Sequence, residues 1–222
     1  MNWPALILSL KLSAWTVVWL LPLGILVARQ IAWRDFPGRA WVEAAVALPL
    51  VLPPTVLGYY LLSVFGGAAP IGQAWQSVFG RPLAFSFEGL LLASILFNIP
   101  FAVQPMQRAF QAIPHEVREA AWCSGMSHWR TFFKIEVPLA WPGIVSALVL
   151  TFAHTMGEFG VVLMMGGNIP GETQTIAIAI YDRVQAFDEH GAATMSGLLL
   201  AFSLVAIGVV YALANRVGPR RG

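Results

Sequence analysis

Residues 107–136 read QRAFQAIPHEVREAAWCSGMSHWRTFFKIE, and the reading of this one polar stretch decides how the chain is arranged. It lies between two apolar runs, 89–106 and 137–156, that carry no charged residue. Pro114 suits a helix start, because its fixed φ is helical and its missing N–H is an orphan there anyway. Glu116 in the first turn favours the positive end of the helix dipole. HEVREAAWCS is a good helix-forming run. Gly125 supplies the left-handed residue that ends a helix, and Ser127 suits the N-cap of a second helix running to about Phe133. The stretch therefore predicts helix, glycine corner, helix. Ala120 and Ala121 give the first helix a small side that another surface can approach closely. Read from the residues alone, such a hairpin either anchors the protein at a membrane face or docks a partner.

Working outward, a bilayer core about 30 Å thick needs about 20 apolar residues in helical form. Five stretches meet that length: 6–28, 41–65, 89–106, 137–156 and 192–215. Lys11 is the sole charge in the first and Glu43 the sole charge in the second. Hydrophobic residues make up 58% of the 222 and charged residues only 11%. Soluble domains run nearer about 45–50% and about 25%. This composition excludes a disordered chain, a soluble nucleic-acid binder and a disulfide scaffold, the last also because Cys123 is alone. The expected fold is all-α: one polytopic membrane domain with five transmembrane helices. The start of the chain has no basic segment and no A-x-A site before Arg29, so it is expected to be a retained span rather than a signal peptide.

Basic residues set the expected orientation. Arg29, Arg34 and Arg39 lie between the first two stretches. Arg108, Arg118, Arg130 and Lys134 lie in the 107–136 loop, and Arg216, Arg220 and Arg221 follow the last stretch. These are ten of the 13 basic residues, and the opposite loops hold only Arg81 and Arg183. The three basic segments are expected in the cytoplasm, with the N-terminus outside and the C-terminus inside. An odd number of spans agrees.

The sequence also narrows the chemistry. No G-x-x-x-x-G-K-[ST] loop is present, and neither Lys11 nor Lys134 follows a glycine, so no ATP site is expected on this chain. There is no H-E-x-x-H, C-x-x-C or G-x-S-x-G. His115, His128, His154 and His190 are scattered, so no metal site is expected. An ion-driven carrier would show several ionisable groups inside the membrane. Here only Glu43 and Glu158 qualify.

Glu119, Ala120, Ala121, Gly125, Ile135 and Pro138 fit E-A-A-x₃-G-x₉-I-x-L-P, with Val137 departing at the leucine position. This resembles the signature loop of bacterial ABC importer permeases, whose membrane domains are of the type I kind. FPGRAWVEAAVALPLVLPPTVLGYYLL (36–62) and HTMGEFGVVLMMGGNIPGETQTIAIAIY (154–181) resemble the molybdate permeases, and GEFG (157–160) is shared with sulfate permeases. The resemblance implies that loop 107–136 carries the coupling helix that docks on a separate ATPase. Glu119 would contact that ATPase or hold the loop, and Gly125 would permit the corner. It also implies a homodimer with a second copy of this chain, two ABC ATPase subunits holding ATP and Mg, and a periplasmic molybdate-binding protein, all around a multi-pass subunit in the inner-membrane lipid. A sulfate or thiosulfate permease is the alternative of the same class. An ion-driven secondary oxyanion carrier is the alternative of another class.

The pathway candidates come from the apolar stretches. Pro49, Pro53 and Pro54 break the hydrogen-bond ladder of 41–65. Freed backbone groups at membrane depth are tolerated only beside protein or a water-filled cavity. Pro53, Pro54 and the neighbouring hydroxyl of Thr55 are therefore pathway candidates, against a simple packing kink. Asn98 near Pro100 either lines the path or makes an interhelical hydrogen bond. Thr151 and Thr155, one turn apart, either line it or bond their own helix carbonyls. Glu158 would repel a dianion as a direct ligand. Its open roles are pairing with a cation, capping backbone N–H groups, or closing an outer gate. After it, Ile176, Ile180 and Val184 recur at helical spacing and predict a short helix on the outer face.

Overall fold

The computed structural model describes residues 2–217, with side chains to residue 212. Arg220 and Arg221 lie outside these residues, as does the side chain of Arg216. The described residues form helices α1 (Trp3–Trp33), α2 (Arg39–Val51), α3 (Pro54–Phe65), α4 (Pro70–Phe79), α5 (Phe87–Gln111), α6 (His115–Cys123) and α7 (His128–Thr131). A π-helical turn (Phe132–Glu136) then leads into α8 (Val137–Gly157). Helices α9 (Gly160–Gly166), α10 (Ile176–Gln185) and α11 (Glu189–Val217) follow.

Among the described residues, four single helices are long and apolar enough to cross a membrane: α1, α5, the continuous run His128–Gly157, and α11. The stretch expected as one span at 41–65 is the pair α2 and α3, bent by 111°, which passes the same test when taken together and would make the fifth span. Its cause is local. A residue before proline is pushed out of the helical region. Leu52 and Pro53 both precede a proline, and both are extended, with ψ of 136° and 135°. Pro53 and Pro54 also have no N–H to continue the ladder. Pro49 by itself does not break α2, which continues to Val51.

The fourth span differs in the other direction. The second helix expected to end near Phe133 does not end there. Ser127 caps α7 through a bond to the Arg130 N–H, and the π turn joins it to α8 without a break. Two-thirds of the predicted hairpin is thus a separate helix and a corner, and the remainder is the foot of a span. The outer segment forms the short helix α10, but its buried face is Ile176, Ile178 and Ala179, and Val184 is exposed. Thr175 caps it, and Ser9 of α1 accepts a hydrogen bond from the Ile176 N–H.

Helix α1 packs against α5 and α8, α11 packs on α8, and α3 packs on α9. Lipid offers no hydrophobic drive between helices, so close van der Waals packing has to hold them. At Gly143 of α8 the space for a side chain is already taken by Ala109 Cβ and the Pro105 carbonyl of α5. The inner core at the α6 end joins Ala28, Ile31, Val46, Val103, Met106, Phe110, Phe132 and Ile144. A second cluster, with Leu61, Ala93, Phe97, Val161 and Met165, binds α3 and α9 to α5.

Candidate functional site

Two breaks in the membrane-spanning helices meet. The first is Leu52–Pro53, between α2 and α3. The second is Glu158–Phe159, between α8 and α9, where Glu158 is extended (φ −70°, ψ 133°). The breaks touch at Gly160, where an added Cβ would lie 2.8 Å from Pro54 Cβ. Glycine is therefore the residue that lets α9 sit against the start of α3.

A cavity of about 600 Å³ opens beside this junction, lined by Pro54, Thr55, Phe97, His154, Glu158 and Phe159 among others. The structure thus brings together Pro54, Thr55 and Glu158, with Pro53 next in the chain. The backbone of α3 contributes as well. Pro53 O takes the N–H groups of Val56 and Leu57, while Pro54 has no N–H to offer.

Asn98 is fully buried and stands one residue behind the wall. Its amide nitrogen donates to Ser94 O at 2.8 Å, and its oxygen lies 3.0 Å from His154 Nδ1. Of the two readings for Asn98, the interhelical bond is the one present. Thr151 and Thr155 are also buried and away from the cavity lining. Thr155 donates to the Thr151 carbonyl at 2.8 Å, as a helical threonine often does.

Glu158 is 5% exposed, and neither carboxyl oxygen has a hydrogen-bond partner among the described residues. The pairing and capping roles left open by the sequence are therefore not filled within the described chain. His154 was visible only as a scattered histidine. The signal for it was its place in the last turn of the span, four residues before Glu158.

The second candidate region is the α6 end. Gly125 has φ +79°, the left-handed conformation that the corner requires. Glu119 and Ala120 are exposed on α6, whereas Ala121 turns inward. The two alanines therefore serve opposite sides, one packing the helix and one open to a partner. Ile135 is half-buried in the π turn, and Pro138 is exposed in the first turn of α8. Glu136, which the sequence reading passed over, is fully buried between them. Its carboxylate accepts from Arg29 Nε at 2.6 Å and from Arg118 Nε at 2.9 Å. The Arg118 guanidinium also stacks 3.9 Å from the Trp33 ring centroid. A lone acid in KIEVPLA, at the foot of a span, was the available signal.

Broken helices around a cavity, among helices apolar enough to cross a membrane, with an exposed helix and corner at one end, fit a multi-pass transport subunit. A family model described as "Binding-protein-dependent transport system inner membrane component" matches residues 20–220, and the chain belongs to that family. The Molybdenum transport system permease protein ModB of Azotobacter vinelandii is 45% identical over 207 residues, covering 93% of this chain and 92% of that protein. The protein of the same name from Escherichia coli (strain K12) is 38% identical, covering 100% and 97%. A probable sulfate transport system permease protein from Chlorokybus atmophyticus is more distant, at 34% identity over 82% of this chain and 63% of its own length. Among solved structures, a bacterial ABC transporter involved in import of the acidic polysaccharide alginate superposes with a TM-score of 0.71 at 18% identity. It covers 99% of this chain and 79% of that one, which bears on the fold alone.

Proposed function

We propose that this chain is the permease subunit of an ATP-driven importer that carries molybdate across the cytoplasmic membrane by alternating access. The observation that carries the reading is the 45% identity to a molybdenum permease along 93% of the chain. Tungstate has the same shape and charge and is a second cargo of the same kind. The sulfate alternative has weaker support, since the sulfate relative is less similar and matches less of the chain. The thin set of ionisable groups around the cavity argues against an ion-driven carrier.

In this reading two copies of the chain enclose the pathway. Two separate ABC ATPase subunits, holding ATP and Mg, engage the α6 end, and a periplasmic binding protein delivers the oxyanion at the other. Exposed Trp129 and Phe133 beside α6 suit docking or the interfacial belt of lipid. The excess of arginine around α6 supports that end in the cytoplasm and the N-terminus outside. Glu119, Ala120 and Gly125 form the docking contact, and Ala121, Ile135 and Pro138 hold it to the spans. ATP binding draws the two α6 helices together and turns the pathway outward, and hydrolysis returns it inward.

The cavity at Pro53, Pro54, Thr55 and Glu158 is assigned to the pathway, with Asn98, Thr151 and Thr155 supporting its wall. A lining with few charged groups suits a channel that must release its cargo. Glu158, which would repel a dianion, is assigned to the gate. The test is uptake of radiolabelled molybdate in cells lacking this chain, with and without its restoration, under excess sulfate. Restored uptake that resists sulfate is expected. Restored uptake abolished by sulfate would move the assignment to a sulfate permease.

A further inference from the structure

We propose that Glu136 is a positioning residue that links the motion of α6 to α1. The proposal rests on the reading of α6 as the ATPase contact. Glu136 is buried, and its carboxylate accepts hydrogen bonds from two different helices. Arg29 of α1 donates from Nε to Oε2 at 2.6 Å and from its terminal nitrogen to Oε1 at 3.3 Å. Arg118 of α6 donates to Oε1 at 2.9 Å. The carboxylate itself stands on the π turn at the foot of α8. One side chain therefore ties three elements at a single point.

The other contacts of α6 with the body are less directional. Val117 packs against the inner core, Ala121 is buried, and His115 meets Trp33 edge to face at 5.1 Å. Such contacts allow sliding. A charged fork on a buried carboxylate does not, because leaving either charge unpaired out of water is strongly unfavourable. The planar stack of Arg118 on Trp33, itself in the last turn of α1, fixes the same two helices a second way. Arg118 is also the immediate neighbour of Glu119. A push on the exposed side of this nine-residue helix is thus delivered by the adjoining residue to Glu136.

The turn that carries Glu136 is suited to this role. Its closing bond runs from the Val137 N–H to the Phe132 carbonyl, one residue wider than in an α-helix. Turns of this kind concentrate at functional sites. Glu136 makes one rigid unit of α6, α1 and the foot of α8, so that all three move when α6 is displaced.

The experiment uses the complete importer, with its ATPase subunits and binding protein, reconstituted in liposomes. Molybdate taken up per ATP hydrolysed is measured for the native chain and for Glu136→Gln. That ratio is expected to fall at least about fivefold, the scale of a lost coupling contact. A purely structural role would lower the amount of assembled complex and leave the ratio per complex unchanged, which would overturn the proposal. If Glu136→Gln does not assemble, Arg118→Lys takes its place. Lysine keeps the charge and leaves the Arg29–Glu136 pair, but loses the Nε bond to Oε1 and the guanidinium stack on Trp33. An unchanged ratio there overturns the proposal equally. ATPase content is measured in every preparation. A native complex that retains no ATPase would instead sink the reading of α6, and this inference with it.

Discussion

Asn98 Oδ1 lies 3.0 Å from Nδ1 of His154 and joins α5 to α8 at the wall of the cavity. The Asn98 amide nitrogen already donates to Ser94 O, so its oxygen is the acceptor. His154 therefore carries its proton on Nδ1 in this bond. The imidazole is stacked on Phe101, with centroids 3.8 Å apart, which holds the ring in the plane the bond needs.

Replacing Asn98 by Leu should therefore destabilise the protein by about 1 kcal/mol, the net worth of the hydrogen bond that the partly buried His154 loses. The check is thermal unfolding of the purified protein in detergent. An unchanged midpoint would show that the bond contributes nothing.

The crossing of α5 and α8 gives a second expectation. A Cβ at Gly143 would overlap Ala109 Cβ, and the neighbouring Pro105 carbonyl is backbone that cannot swing away. Gly143→Leu should cost about 1–3 kcal/mol or more through overpacking. Ala109→Gly on the same chain should return part of that loss, because the two sites are in contact. Unfolding midpoints of the two single variants and the double variant measure the interaction, and strict additivity would contradict the close crossing.

These two sites show what was legible in the sequence. Length and apolarity predicted α1, α5 and α11, because lipid imposes a length rule that soluble proteins lack. Helix, corner and Gly125 were legible because caps and left-handed residues are local signals. The bend at Pro53–Pro54 was legible as a break but not as an angle of 111°, since local rules set where a helix stops and packing sets its direction. The candidate site divides the same way. Pro54, Thr55 and Glu158 could be singled out residue by residue. Their meeting at Gly160, the Asn98–His154 bond and the Arg29–Glu136–Arg118 cluster depend on residues far apart in the chain. No local pattern marks a long-range contact.

At the opposite end, Asp188 should make stability depend on acid. The Gly191 N–H and the Arg183 guanidinium hold its carboxyl below the usual 3.8. A depressed folded value means that the unfolded chain binds the proton more readily. Its contribution is therefore complete above the unfolded value and lost as pH falls through the folded one. Asp188→Asn should unfold at lower temperature than the native chain at pH 7, and the gap should close as pH falls below 3.8 and through the depressed folded value. A gap that persists unchanged in acid would rule out the charge as its source.

Gly125 tests the corner by backbone alone. Its φ is +79°, and an added Cβ would meet nothing within 4 Å. Any penalty there is conformational, not steric crowding by neighbours. Asparagine tolerates the left-handed region and should be mild, whereas a β-branched residue should pay about 1–2 kcal/mol or more. If α6 and its corner form the ATPase contact, that strain shifts the loop away from its docking shape by a factor of about 5–30. Retention of the ATPase on the purified permease should fall in the order Gly, Gly125→Asn, Gly125→Val, and molybdate uptake should follow it. The unfolding midpoint of the permease alone should change little, since the corner is exposed and frees no buried group. Full ATPase retention by Gly125→Val would mean that the corner does not shape the docking surface.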